Sequence, residues 1–213
     1  MKVALVIGGT GLIGEQLIAQ LIKDDRYCKV ISLVRNIPET FHAKLFNVQY
    51  NFEDPDPKAI KGTDLFCCLG TTMRSAKTKD RFYKIDHDYV LQTAGIAKMN
   101  GIENICLISS MGANSQSMIY YNRVKGIIEN DISNLGFDCC TIIRPSMLLG
   151  KRKEVRLAEN IGKYFMQELK FLIPKRFQAV DASNVATKMI DSLNSDLKGI
   201  HIISSEKITN NED

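Results

Sequence analysis

Several functional classes are excluded by what this chain lacks. No apolar run approaches the roughly 20 residues that a bilayer-spanning helix needs, so no transmembrane helix is expected. No secretory signal is visible: Met1 and Lys2 run straight into an apolar, strand-like segment. Removing a leader would remove part of the fold, and the expectation is a cytoplasmic protein. The six cysteines contain no Cys-x-x-Cys, the three histidines lie far apart, and no Cys/His ligand spacing occurs. A structural metal site is therefore not expected. The adjacent pairs Cys67–Cys68 and Cys139–Cys140 fall in apolar runs. Neighbours in a strand point to opposite faces, so these pairs read as buried, reduced thiols rather than disulfides. The net charge is only +4, too mild to call for nucleic acid or a membrane surface as partner.

Repeats, low-complexity tracts and linkers are also missing. With 45% apolar and 24% charged residues among 213, the chain suits one domain over 1–213 with a substantial core. Apolar runs alternate with helical patterns. Strands are expected near 2–7, 29–34, 45–50, 64–69, 104–109, 138–143 and 199–203, and helices near 11–23, 86–100, 118–134, 154–168 and 182–194. Strand, helix, strand in repetition predicts a doubly wound parallel sheet of the Rossmann type, covered on both faces. Runs such as Leu65-Phe66-Cys67-Cys68-Leu69 are apolar throughout, as strands buried on both faces should be. The region 145–180, with Pro145, a basic run and Pro174, breaks the alternation and reads as a small substrate-side insertion in the C-terminal part of that domain.

The most informative segment is Val6-Ile7-Gly8-Gly9-Thr10-Gly11-Leu12-Ile13-Gly14. A strand stops at a glycine-rich turn and a helix pattern follows at once. That order suits a dinucleotide: glycines let the backbone close on the pyrophosphate, and the helix N-terminus is aimed at it. Both Gly9-x-Gly11-x-x-Gly14 and the wider Gly8-x-x-Gly11-x-x-Gly14 spacing are satisfied. Gly11 would admit the pyrophosphate and Gly14 would let helix and sheet pack closely. The second strand ends Leu33-Val34-Arg35-Asn36, with no carboxylate until Glu39. NAD-selective sites place an acidic residue here for the ribose 2′-hydroxyl, whereas a guanidinium can pair with a 2′-phosphate. NADP(H) is accordingly favoured over NAD(H). Asn51 and Phe52, after the third strand, are equally candidates to border the adenine and ordinary loop residues. Leu69-Gly70-Thr71-Thr72, small and hydroxylic at a strand's carboxyl end, suits close approach to the cofactor.

Tyr121 and Lys125 form Tyr-x-x-x-Lys on a predicted helix and share one face of it. The helix follows a strand ending Ser109-Ser110. Reduction of a carbonyl by hydride leaves its oxygen needing a proton. A phenol beside an ammonium can supply one, and a serine hydroxyl can orient the carbonyl. Ser110 is the first choice for that serine and Ser109 the alternative, since adjacent strand-end residues face opposite ways.

With these residues in place, the chain resembles the short-chain dehydrogenase/reductase superfamily, in its atypical branch, and within it the Tat-interacting-protein-like oxidoreductases. The resemblance is carried by the Gly8–Gly14 turn, Leu69-Gly70-Thr71-Thr72, Ser109-Ser110-Met111-Gly112-Ala113, Tyr121-x-x-x-Lys125-Gly126 and Arg144-Pro145-Ser146-Met147-Leu148-Leu149-Gly150. It implies NADPH binding, a Ser–Tyr–Lys site, and Pro145 and Ser146 beside the nicotinamide. Two departures bear on the site: the Asn-rich stretch of better-known members is replaced by Leu69-Gly70-Thr71-Thr72, and Ser110 lies closer to Tyr121 than their catalytic serine does. The expected function is hydride transfer between NADP(H) and a small carbonyl or alcohol by a monomer or homodimer. The alternatives are an NADPH-binding sensor or scaffold with little turnover and a nucleotide-sugar epimerase or dehydratase. Two features remain ambiguous. Lys151-Arg152-Lys153 with Arg156 is a solvated loop or an acid-attracting rim, and Met111, Met118, Met147 and Met166 are core filler or pocket lining.

Overall fold

Regular alternation along the strands divides their side chains between two cores. The computed structural model describes residues 1–39, 41–149 and 178–209. Its strands are β1 (Lys2–Ile7), β2 (Tyr27–Val34), β3 (Leu45–Gln49), β4 (Asp64–Cys67), β5 (Asn104–Ile108), β6 (Cys139–Arg144), the two-residue β7 (Leu148–Leu149) and β8 (Val180–Asp181), and β9 (Gly199–Ser204). The helices are α1 (Leu12–Leu21), α2 (Met73–Ala76), α3 (Lys79–Tyr83), α4 (Tyr89–Met99), α5 (Tyr120–Ser133), α6 (Ala182–Ser192) and α7 (Glu206–Thr209). Leu5, Ile7, Leu65, Cys67, Ile105, Leu107, Cys140 and Ile142 face α4 and α5 in one core. Ala4, Val6, Phe66, Cys106, Cys139 and Ile143 face α1 and α6 in the other. Cys139 and Cys140 thus fall in different cores, and all six cysteines are free.

The main sheet has the order β3-β2-β1-β4-β5-β6-β9, and each neighbouring pair is parallel. This is the expected doubly wound architecture. The chain runs outward from β1 through β2 to β3, then crosses back to place β4 on the other side of β1. The reversal opens a crevice at the carboxyl ends of β1 and β4, where ligands of such sheets bind.

The helical run before β5 is longer than the predicted 86–100. It begins at α3, where the Thr78 hydroxyl accepts the Arg81 amide at 3.2 Å, and reaches α4 through a π-helical turn over Lys84–Asp88. Dense charge in Lys79-Asp80-Arg81 hides the apolar period, since Phe82 is the one fully buried residue of α3. The predicted helix 154–168, the basic cluster at 151–156 and Met166 lie outside the described residues, as does most of the 145–180 insertion. Met111, Met118 and Met147 are exposed and are not core filler.

At the opposite, amino-terminal end of the sheet, fully buried Asp64 has three partners. Tyr27 donates its hydroxyl at 2.6 Å, Asn104 its amide at 2.8 Å, and Lys2 Nζ lies 3.1 Å away. Asn194 donates in turn to the Tyr27 hydroxyl at 2.9 Å, tying the end of α6 to β2. Burial, with the Asp64 carboxylate next, pushes the Tyr27 phenol well up, so it stays a donor. Tyr27→Phe should leave one carboxylate lone pair and one Asn194 amide unmatched. A loss of about 1–3 kcal/mol in urea-unfolding stability is expected, and an unchanged midpoint would count against the network.

Candidate functional site

The turn after β1 is built by contacts that admit no side chain. Gly8 has φ +77°, and a Cβ there would lie 2.4 Å from the Cys68 carbonyl carbon and the Leu69 nitrogen. A Cβ on Gly14 would lie 2.2 Å from the Gly8 carbonyl oxygen. These two glycines are demanded by packing. Gly11 is different. Its φ of −85° suits any residue, it is exposed, and a Cβ would meet nothing nearer than the Gly8 oxygen at 3.3 Å. No internal contact requires glycine at position 11, but a phosphate drawn onto the turn would. Gly11 is also the N-cap of α1 and offers no side-chain acceptor, which leaves first-turn amides available to an anion.

A cavity of about 360 Å³ opens beside this turn. Thr10, Gly11, Leu12 and Ile13 line it from α1's N-terminus, Leu69, Gly70, Thr71 and Thr72 from the loop after β4, and Tyr121 and Lys125 from α5. Ten of the predicted residues therefore come together. Gly8 and Gly14 support the cavity from beneath.

The serine that reaches the cavity is Ser109, not Ser110. Ser109 is buried, and its Oγ has no hydrogen-bond partner. Ser110 donates to the neighbouring Met111 carbonyl at 3.2 Å. The reason is strand parity. The Ser109 amide extends the β5–β6 ladder to the Ile143 carbonyl at 2.8 Å, so Ser109 continues the face of Ile105 and Leu107, which α5 covers. Sequence parity says that the two serines diverge; only the position of α5 says which one meets Tyr121.

Lys125 is almost fully buried, and its Nζ lies 2.8 Å from Asp86 Oδ1. Asp86 Oδ2 accepts the Thr71 amide at 2.8 Å. Burial pushes the Asp86 carboxyl up, against the opposing pull of Lys125. Burial also opposes the charge on Lys125, yet Asp86, Tyr121 and Glu129 together carry its pKa above the ordinary lysine value. The pair is an ion pair. Asp86 was not singled out from the sequence. Its signal was there: Phe82, Asp86, Val90 and Ala94 repeat every four residues, and a carboxylate on that buried face needs a partner.

Arg35, Asn51 and Phe52 line a second cleft of about 570 Å³ with Tyr50, Arg81, Lys84 and Tyr89. Phe52 and Tyr89 place their ring centroids 5.5 Å apart. Glu53 holds Lys84 at 2.5 Å and accepts the Tyr89 hydroxyl, which burial and that bond push up to about 12. Pro145 and Ser146 do not line the cavity. Pro145 is buried and its carbonyl accepts the Met111 amide at 2.9 Å. Ser146 donates to the Gln178 carbonyl at 2.5 Å and accepts from Ser205 at 2.8 Å. Leu148, two residues on, does line it.

A parallel sheet reversing beside β1, a glycine turn open at Gly11 and a Ser/Tyr/Lys-lined cavity define a dinucleotide-binding protein of the short-chain dehydrogenase type. The chain belongs to the NAD(P)H-binding family, whose model matches residues 8–195. It is 34% identical to Protein HTATIP2 of Rattus norvegicus over 175 residues, covering 79% of this chain and 72% of that one. It is 32% identical to the mitochondrial Protein FMP52 of Candida albicans over 218 residues, covering 93% and 92%. Among solved structures, a UDP-N-acetylglucosamine 4-epimerase from Methanobrevibacter ruminantium M1 superposes with a TM-score of 0.72 at 20% identity, covering 95% of this chain and 76% of that one. MoeE5 in complex with UDP-glucuronic acid and NAD gives 0.72 at 14%, covering 93% and 74%. These likenesses are of fold. The expectation of a cytoplasmic protein is overturned: the FMP52 relatives are named mitochondrial. Free buried thiols do not tell one reducing compartment from another.

The two kinds of glycine separate by experiment. Gly11→Ala is expected to keep thermal stability within about 1 kcal/mol while weakening NADPH binding roughly tenfold or more. Gly14→Ala should cost about 1–3 kcal/mol by forcing α1 off the turn. Unchanged NADPH affinity in Gly11→Ala would remove the turn from the binding site.

Proposed function

We propose that this protein is an NADP(H)-dependent oxidoreductase acting on a small carbonyl or alcohol, with Ser109, Tyr121 and Lys125 as its reactive group. The observation that carries the reading is the unpartnered Ser109 Oγ, buried in the same cavity as Tyr121 and Lys125. A buried hydroxyl without a partner is costly, and a substrate oxygen would satisfy it. When bound, the nicotinamide supplies or accepts the hydride. The Tyr121 hydroxyl gives the carbonyl oxygen its proton in reduction and takes it back in oxidation. Ser109 donates to that oxygen and fixes its direction. Lys125 adds positive charge beside the phenol and donates to the nicotinamide ribose. The first-turn amides of α1, from Leu12 and Ile13, take the pyrophosphate.

Arg35 supports the choice of NADP(H). It shares the second cleft with Arg81 and Lys84, and Lys84 is already engaged by Glu53. The two guanidiniums suit a 2′-phosphate better than a ribose hydroxyl.

Tyr121→Phe is expected to lower kcat against a panel of small aldehydes and ketones by about 10²–10⁴-fold, with the dissociation constant for NADPH within about twofold of the unmodified protein. Unchanged turnover would end the role given to Tyr121. A protein that binds NADPH tightly and reduces nothing on the panel would favour the sensor reading. In direct titrations, NADPH should bind at least about tenfold tighter than NADH, and Arg35→Ala should abolish the difference. Equal affinities in the unmodified protein would remove the 2′-phosphate argument.

A further inference from the structure

Asp86 has no task in the chemistry above, yet it sits at its centre. It lies in the π-helical turn between α3 and α4, on a face whose neighbours four residues away, Phe82 and Val90, are core residues. Placing a carboxylate there loses several kcal/mol of hydration unless it is paired and hydrogen-bonded. Both needs are met inside the cavity, by Lys125 Nζ at 2.8 Å and the Thr71 amide at 2.8 Å. Both side chains are almost wholly withdrawn from solvent: Asp86 is 0% and Lys125 6% exposed. The backbone at Gly70 passes directly over the pair. A Cβ there would lie 3.1 Å from Asp86 Oδ1 and 3.5 Å from Lys125 Nζ. Among the described residues no other carboxylate lies within ion-pair distance of Lys125. Glu129, one helical turn along α5, is held by Arg144 through two bonds of 2.9 and 2.5 Å.

An ammonium carries three N–H donors. The 2.8 Å ion pair with Asp86 fixes where that nitrogen sits, on the wall that it shares with Tyr121 and Ser109. We propose that Asp86 is a positioning residue: it keeps Lys125 a cation in a buried site and holds its ammonium beside the cofactor. The proposal rests on the reading that Lys125 contacts the nicotinamide ribose. It assigns to a directly paired carboxylate the holding of a lysine whose charge burial opposes. The groups facing Lys125 are Asp86 from the π-helical turn, Tyr121 and Glu129 from α5, Arg144 of β6 behind Glu129, and Glu15 and Cys68 across the cavity. Burial pushes the Cys68 thiol up to about 12, so it stays neutral in the range that matters.

The test measures NADPH dissociation constants for the full chain from about pH 7 to 9.5, above the second ionisation of a phosphate monoester near 6. The unmodified protein should vary by less than about twofold across this range. Asp86→Asn removes the paired charge and leaves burial opposed only by Tyr121 and Glu129. Its affinity should fall about tenfold or more as pH rises, because Lys125 loses its proton within the window. Asp86→Glu keeps the charge but displaces it, and should bind more weakly at every pH with the flat profile retained. A second readout needs no cofactor: the 13Cε resonance of Lys125, assigned with Lys125→Arg, should titrate at lower pH in Asp86→Asn than in the unmodified protein. A flat binding profile with an unmoved resonance in Asp86→Asn overturns the proposal. Should Asp86→Asn fail to fold, a downward-shifted Lys125 resonance in Asp86→Glu overturns it, and an unmoved one upholds it. Neither readout involves turnover, so a protein inactive on carbonyls would defeat the proposed reaction and leave this result standing.

Discussion

Helix α1 can rest against the end of β1 only because residue 14 has no side chain and the Gly8 carbonyl oxygen occupies the space one would fill. This close approach sets the direction of α1. It places the helix's first amides over the crevice where β4 has crossed to the other side of β1. The loop after β4 is pinned by the same turn, since Gly8 lies against the backbone of Cys68 and Leu69. One turn therefore locates two of the three walls of the cavity. The third wall, α5, is held by a comparable device. A Cβ on Gly126 would lie 2.1 Å from the Ser115 nitrogen, so the helix bearing Tyr121 and Lys125 packs against the backbone of the preceding loop.

Buried polarity is concentrated at the two ends of the sheet, with opposite character. At the amino-terminal end, Asp64 has a tyrosine, an asparagine and a lysine as partners, and both carboxylate oxygens are engaged. At the carboxyl end, Asp86 and Lys125 form an ion pair, and the Ser109 hydroxyl has no hydrogen-bond partner. Buried charges are weak sources of stability, so the two clusters call for separate explanations. The first closes the seam between β1, β2, β4, β5 and α6. The second belongs to the cavity.

Much of this was legible in the chain. The parallel sheet follows from alternating apolar runs, and the glycine turn from its spacing. Lys125 and Tyr121 were found because a four-residue interval fixes a shared helix face. The failures have a common cause. Ser109 and Ser110 are distinguished only by which side of the sheet α5 covers, a fact about residues more than ten positions away. Asp86 shares the four-residue spacing of Phe82, Val90 and Ala94, but its partner lies on another helix and the sequence does not say which one. Ser146 looked like a cofactor neighbour in the motif, but Gln178 and Ser205 hold it; neither could be placed beside it from sequence. The compartment failed for a different reason: a strand that begins at Lys2 says nothing of address, and the FMP52 relatives are named mitochondrial.

The pairing of β7 with β8 sets Leu148 beside Val180 and Leu149 beside Asp181. Leu148 also lines the cavity, and Asp181 is the N-cap of α6, its carboxylate accepting the Ser183 amide at 2.7 Å. The short ladder thus fastens one lining residue of the cavity to the start of the helix that packs on the far face of the sheet. A displacement of α6 would pull on the cavity through this link without passing through the main sheet.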